Sequence, residues 1–195
     1  MNRFDFRGLG GPFLLFAGLL LCAVGAPLLE AHLVYERALV TQGEVWRLLT
    51  AHLTHTNLQH LLLLWILHGP HYRTRTFLAA TAVTALATGA CLHLFSPQTD
   101  VYLGLSGVLH GLIIWGGCLD IRARWRTGYL LVAGTWIKVG LEQWFGASAD
   151  TAQMIGAEVA IDAHLWGAVA GTLWGLPTLI RSAGRAGGAG VAEPS

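Results

Sequence analysis

The chain has 195 residues, of which 54% are hydrophobic and 12% are charged, and its formal net charge at pH 7 is +1. Soluble globular domains carry about 25% charged residues, so this composition excludes an ordinary soluble domain and indicates a single-domain membrane protein. The small net charge gives no support for nucleic-acid binding.

Six apolar segments follow one another along the chain and predict six membrane-spanning helices. They cover residues 13–29, 53–67, 77–95, 101–119, 128–145 and 155–180. The first resembles a signal peptide, but its apolar run is long and Pro27 follows the only small-residue cleavage site, so we expect it to be retained. The predicted fold class is an all-α membrane protein with a six-transmembrane-helix bundle.

The basic residues predict the orientation, because cytoplasmic loops of membrane proteins are enriched in Lys and Arg. Nine of the twelve basic residues fall on one side if all six segments span: Arg3, Arg7, Arg73, Arg75, Arg122, Arg124, Arg126, Arg181 and Arg185. Both termini are then cytoplasmic. The loops 30–52, 96–100 and 146–154 are expected on the opposite side.

The domain boundaries follow from composition. We assign residues 1–181 to the membrane domain and predict that the tail 182–195, rich in Gly and Ala, is disordered and cytoplasmic. In the loop 30–52, the adjacent Trp46 and Arg47 are typical of the headgroup zone. The three cysteines have no zinc-ligand spacing, and their odd number argues against a disulfide framework.

The fourth segment carries a serine among glycines, in the run Gly104-Leu-Ser106-Gly-Val-Leu-His-Gly111. A helix from Ser106 to residue 119 rises about 21 Å, which is less than the roughly 30 Å of the hydrocarbon core. Ser106 is therefore expected below the outer surface, after a non-helical stretch 101–105 that Gly104 makes possible. Irregular backbone at that depth must line a cavity or be buried in protein.

The sixth segment carries a histidine, His164, at a predicted depth similar to that of Ser106. Small residues follow His164 on its own helix face, and the fourth segment has the same small-residue pattern, so the two backbones can approach closely. These small residues are Gly107, Gly111, Gly167 and Gly171. Because a serine beside a histidine base can act as a nucleophile, the pattern predicts a serine hydrolase that works inside the membrane.

The same motifs resemble the signatures of the rhomboid family of intramembrane serine proteases. The matching runs are Gly104-x-Ser106-Gly-x-x-x-Gly111 and Ala163-His164-x-x-Gly167-x-x-x-Gly171, and the Trp46-Arg47 pair agrees with them. The resemblance covers residues from about 10 to 180. In its compact size and in the sequences of residues 102–111 and 162–164, the chain is most similar to the rhombosortase branch.

The resemblance implies a serine endopeptidase with a Ser106–His164 dyad and with neither a metal nor another cofactor. It also implies that His60 and the backbone N–H of Ser106 stabilise the oxyanion. The supporting residues that it implies are His110, Gly104, Gly107 and Gly167. The family has an asparagine four residues after the oxyanion histidine, but this chain has Leu64 there. That departure keeps open a catalytically inactive rhomboid-like protein that binds transmembrane clients.

Other polar residues near the motifs allow weaker alternatives. His110 lies one turn beyond Ser106 and is a rival base, although the family carries an aromatic residue there that packs on the catalytic histidine. Asp162 points to a different face from His164, so we do not expect it to orient that residue. Lys138 and Glu142 are spaced as an intrahelical ion pair.

Two further functional interpretations, a metal site and a transport function, have little support in the sequence. His52 could contribute to a metal site with His55, but no carboxylate lies at the HExxH spacing. A transporter or channel fits poorly, because its ionisable residues should line a path across the membrane, whereas these cluster in the outer half.

The branch also implies partners and a location. Its substrates are single-span membrane proteins with a C-terminal Gly-Gly motif and a basic tail, and we expect cleavage in that anchor region. The lipid bilayer is the other partner, and no nucleic acid is expected. The expected location is the bacterial inner membrane, with a multi-pass topology and an active site open to the periplasmic side.

Overall fold

The structure is a computed structural model that describes residues 10–54, 74–147 and 159–187. These residues are mostly helical. In chain order the helices are α1 (Gly10–Leu33), α2 (Arg37–Thr41), α3 (Arg47–Thr50), a 3₁₀ turn (Ala51–Leu53), α4 (Thr74–Phe95), α5 (Ser106–Arg122), α6 (Thr127–Phe145) and α7 (Ile161–Gly187). Two short strands, β1 (Tyr35–Glu36) and β2 (Val101–Tyr102), complete the described elements.

The five long helices overlap five of the six predicted apolar segments, which confirms the helical fold class. The remaining segment, 53–67, lies outside the described residues except at its first positions. Within the described ranges, α4 alone is both long and apolar enough to cross a membrane by length and composition. The count of six spans therefore stays a prediction.

Helix α5 lies at the centre of the bundle and packs against α4, α6 and α7. Its contact with α7 is the most extensive, and glycines make it possible. A Cβ atom on Gly107 would lie 2.6 Å from the carbonyl oxygen of Ala163, and one on Gly111 would lie 2.6 Å from that of Gly167. Any larger residue would push the two backbones apart. The predicted approach of the two small-residue faces is confirmed.

Two short strands hold the segment that precedes α5. β1 pairs with β2 in antiparallel register, so that Tyr35 lies opposite Tyr102. The guanidinium of Arg37 donates hydrogen bonds to carbonyls at the end of α4, at 2.7 Å to His93 and 2.9 Å to Leu92. Residues 101–105 are not helical, as the sequence predicts, and α5 begins at Ser106.

Arg47 is buried, with 2% of its surface exposed. Its guanidinium donates to the carbonyl oxygens of Val34 at 2.5 Å and Ala31 at 2.9 Å, and it pairs with Glu44 at 2.6 Å. The last carbonyls of a helix have no intrahelical donor, and Arg47 supplies donors to the end of α1. The side chain of Arg47 is therefore enclosed by protein, whereas Trp46 is half exposed, and the position of the pair at the depth of the lipid headgroups stays a prediction.

Helix α7 extends beyond the predicted domain boundary at residue 181 and ends at Gly187. Residues 182–187 are therefore helical, although composition placed them in the tail. Residues 188–195 lie outside the described residues, so the disorder expected there stays a prediction.

Candidate active site

Polar residues from three helices lie at one end of the bundle. Ser106 is the first residue of α5, and His164 is in the first turn of α7. Helix α6 runs in the opposite direction from α5, and Glu142 is in its last turn. The basic turn between α5 and α6, with Arg124, lies at the other end. The two helix starts and one helix end therefore bring a hydroxyl, an imidazole and a carboxylate to the same level.

The backbone before Ser106 is fixed by its own hydrogen bonds. Gly104 has a φ of 118°, a conformation that residues with a Cβ rarely adopt. Its N–H donates to the carbonyl of Ala51 at 2.9 Å. Leu105 caps α5 through its backbone and makes no side-chain cap hydrogen bond, whereas the Tyr102 hydroxyl interacts with the backbone of Gly107 in the first turn. The N–H of Ser106 belongs to the first turn of α5 and therefore has no intrahelical acceptor.

A buried tyrosine and a buried histidine form hydrogen bonds with the turn that precedes α5. The Tyr102 hydroxyl donates to the Gly104 carbonyl at 2.5 Å and lies 3.2 Å from His52 Nδ1. The same hydroxyl interacts with the Ser106 side chain. Burial lowers the pKa of the His52 imidazole to about 4, so His52 is neutral at pH 7 and packs edge-on against Tyr102. This arrangement gives His52 a structural role. The other member of the predicted histidine pair, His55, lies outside the described residues.

His164 is buried and stacks on His110. The ring centroids are 4.1 Å apart and the ring planes are inclined by 22°. His110 Nδ1 lies 2.7 Å from the carbonyl oxygen of Ser106. A carbonyl can only accept, so His110 donates its Nδ1 proton to the residue that carries the candidate nucleophile. One ring thus connects Ser106 to His164.

The Ser106 hydroxyl and the His164 imidazole are both described, and no direct hydrogen bond joins them. Catalytic hydrogen bonds are often long in unliganded enzymes and tighten when substrate binds. Asp162 accepts a hydrogen bond from Gln98 instead of contacting His164, in agreement with the sequence argument that it points elsewhere.

The sequence did not predict Glu142 as a member of this site. Its Oε1 lies 2.6 Å from Lys138 Nζ, which confirms the predicted intrahelical pair. Its Oε2 lies 2.8 Å from His164 Nδ1, a contact between two helices that the local spacing does not reveal. The available signal was a carboxylate on an otherwise apolar segment, which is a functional-site candidate by default.

Ligand atoms of His110, Glu142 and His164 all lie within 4.8 Å of one another. Nitrogen and oxygen ligands of this kind suit zinc. However, the Nδ1 atoms of both histidines already have hydrogen-bond partners, and the two rings are stacked rather than convergent. We therefore interpret the cluster as a hydrogen-bonded network, and the absence of a metal stays a prediction.

The remaining predicted site residues divide into two groups. Gly107 and Gly167 lie in the close contact between α5 and α7, where Gly107 packs on Ala163, the neighbour of His164, and Gly167 packs on Gly107. His60 and Leu64 lie outside the described residues, so the oxyanion role of His60 and the effect of Leu64 stay predictions.

Comparison with known families gives one match. Residues 42–181 match the family described as Rhomboid domain, and this range is more than half of the chain. It contains Ser106, Glu142 and His164. Comparison with curated proteins finds no match.

Proposed function

The chain belongs to the rhomboid family of intramembrane serine proteases, and we propose that it is an active endopeptidase with Ser106 as nucleophile and His164 as base. The observation that carries the proposal is the glycine contact between α5 and α7. Gly107, next to Ser106, packs on Ala163, next to His164. This contact supports the proximity that proton transfer requires.

The chemistry follows from these two side chains. Ser106 Oγ attacks the scissile carbonyl carbon while His164 Nε2 accepts its proton. The tetrahedral intermediate then collapses, the C–N bond breaks, and the imidazolium returns the proton to the leaving amine. Water or another nucleophile resolves the resulting acyl-enzyme, with His164 acting again as base.

The negative charge that develops in this reaction needs donors. We propose that the backbone N–H of Ser106 is one of them, because it lies at the N-terminus of α5, where the N-cap residue Leu105 makes no side-chain hydrogen bond. We propose His60 as the side-chain donor, on the family resemblance. Donors of this kind typically contribute about 10²–10³ in kcat.

The proposed substrates are single-span membrane proteins that are cleaved in a Gly-rich C-terminal anchor, as in the rhombosortase branch. We place the protein in a bacterial inner membrane with both termini in the cytoplasm. The serine then opens to the periplasmic side, because Arg122, Arg124 and Arg126 lie at the opposite end of α5.

The test has two parts. In the first part, the protein purified in detergent is treated with a fluorophosphonate probe, which labels only an activated serine. In the second part, the protein is co-expressed in cells with a single-span substrate that has a C-terminal Gly-Gly anchor. We expect labelling and cleavage by the parent and by Ser96→Ala, a control at another buried serine. Ser106→Ala should do neither.

The outcomes separate the proposal from its alternative. A folded parent protein that binds the substrate but is neither labelled nor able to cleave it would be a client-binding protein, the alternative that Leu64 keeps open. Labelling without cleavage of this substrate would support the serine mechanism and contradict the proposed substrate class. A matched substrate with Val-Val in place of Gly-Gly measures how much the glycines contribute.

A further inference from the structure

We infer that Glu142 is a positioning residue for His164: its carboxylate accepts a hydrogen bond from the imidazole and holds it in place for catalysis. The inference rests on the proposed function, because it assigns to His164 the role of base. It adds to the Ser106–His164 dyad a third group, which comes from a different helix.

The contact has the geometry of a charge-assisted hydrogen bond. Glu142 Oε2 lies 2.8 Å from His164 Nδ1, and both side chains are buried, with 11% and 5% of their surfaces exposed. A hydrogen bond to an ionised partner is typically about twice as strong as a neutral one.

Lys138 holds the carboxylate in this orientation. Its Nζ lies 2.6 Å from Glu142 Oε1, so each carboxylate oxygen has its own partner. The lysine side chain is half exposed and belongs to the preceding turn of the same helix. The cation favours the ionised form of Glu142, which then acts only as an acceptor.

An ionised Glu142 determines which nitrogen of His164 carries the proton. Because the carboxylate can only accept, His164 must donate from Nδ1, and Nε2 is left with a free lone pair. That is the tautomer a general base needs. When Nε2 takes the serine proton, the carboxylate also stabilises the imidazolium that forms.

The placement of Glu142 follows from the buried face of α6. The buried residues Thr135, Val139 and Glu142 are spaced four and three positions apart, which puts them on one stripe. Helix α6 is otherwise largely exposed along this stretch. The carboxylate is therefore directed at the bundle interior, where His164 lies in the first turn of α7.

The variant that tests the inference is Glu142→Gln. Gln has the same shape but can donate to Nδ1, which favours the wrong tautomer. We expect kcat per folded molecule to fall about 10²–10⁴-fold, by analogy with the loss of the carboxylate in a serine protease triad, with little change in KM. Glu44→Gln is the matched control, because it removes the same charge from the Arg47 pair away from the site.

Lys138→Gln separates positioning from helix stabilisation. If Glu142 served only to pair with Lys138, both variants would reduce activity equally. We expect Lys138→Gln to cost less than Glu142→Gln, because the His164 contact remains. Equal losses in the two variants would overturn the inference, as would kcat of Glu142→Gln within about threefold of the parent.

A spectroscopic readout makes the test independent of turnover. Nitrogen-15 NMR of His164 in the Ser106→Ala background, at a pH where the imidazole is neutral, reports its tautomer. We expect a proton on Nδ1 in that background and a shift towards Nε2–H when Glu142→Gln is added. Unchanged tautomer populations would overturn the inference. An unlabelled, inactive parent with the expected tautomers would contradict the proposed function alone.

Discussion

The imidazole rings of His110 and His164 stack with their centroids 4.1 Å apart. One ring belongs to the helix that starts with Ser106 and the other to α7. His110 donates its Nδ1 proton to the Ser106 carbonyl in a hydrogen bond, whereas His164 donates its Nδ1 proton to Glu142. This difference favours His164 as the base and His110 as the ring that packs on it.

His110 variants should distinguish packing from catalysis. His110→Phe keeps an aromatic ring against His164, so we expect kcat within about threefold of the parent. His110→Ala should reduce kcat about 2- to 12-fold, which corresponds to the 0.5–1.5 kcal/mol of a stacked pair. Both are measured as turnover per folded molecule. If His110 were the base, His110→Phe would be as inactive as His164→Ala.

The proposed nucleophile and base should behave as one unit. Ser106→Ala and His164→Ala should each abolish cleavage, and the double variant should be no worse than either, because residues that act together are strongly non-additive. Single-turnover assays on purified protein measure this. Appreciable cleavage by Ser106→Ala would exclude serine catalysis.

The oxyanion prediction concerns His60 and Leu64. If His60 is the main side-chain donor, His60→Ala should lower kcat about 10²–10³-fold and more than Leu64→Ala does. Leu64→Asn, which restores the family residue, should leave activity unchanged or raise it. Turnover is normalised to folded protein, so that a purely structural role of His60 is recognised by near-normal activity per folded molecule.

The glycine contact predicts a sharp contrast between two Gly→Ala substitutions. Gly107→Ala would put a Cβ 2.6 Å from the Ala163 carbonyl oxygen, so we expect a loss of about 1–3 kcal/mol in the free energy of unfolding together with a loss of activity. Gly140→Ala meets nothing within 4 Å and should be neutral or gain up to about 1 kcal/mol. Unfolding in detergent measures both, and similar effects would contradict the close contact.

The membrane orientation can be tested with reporters in two described turns. Fusions at residues 98 and 124 should report opposite sides of the membrane, the second of them cytoplasmic, because the basic turn follows the positive-inside rule. The alkaline phosphatase and green fluorescent protein reporters give complementary signals on the two sides. Signals from the same side at both positions would contradict the predicted topology.

Much of the fold could be predicted from local sequence. Apolar segments long enough for a membrane predicted five helices that the structure describes, and the run at 101–105 predicted the non-helical approach to Ser106. The paired small residues, Gly107 with Gly111 and Gly167 with Gly171, identified the two helices that touch. These features are readable because helix formation and helix faces depend on residues a few positions apart.

Tertiary structure alone decided which polar groups meet. Glu142 and His164 are 22 positions apart and on different helices, and their contact depends on the rotation and crossing of α6 against α7, which local periodicity does not specify. Arg47 is a similar case, since its place beside Trp46 indicated the headgroup zone but not what its side chain contacts. In the fold it satisfies the carbonyls at the end of α1, because buried backbone acceptors without partners are costly.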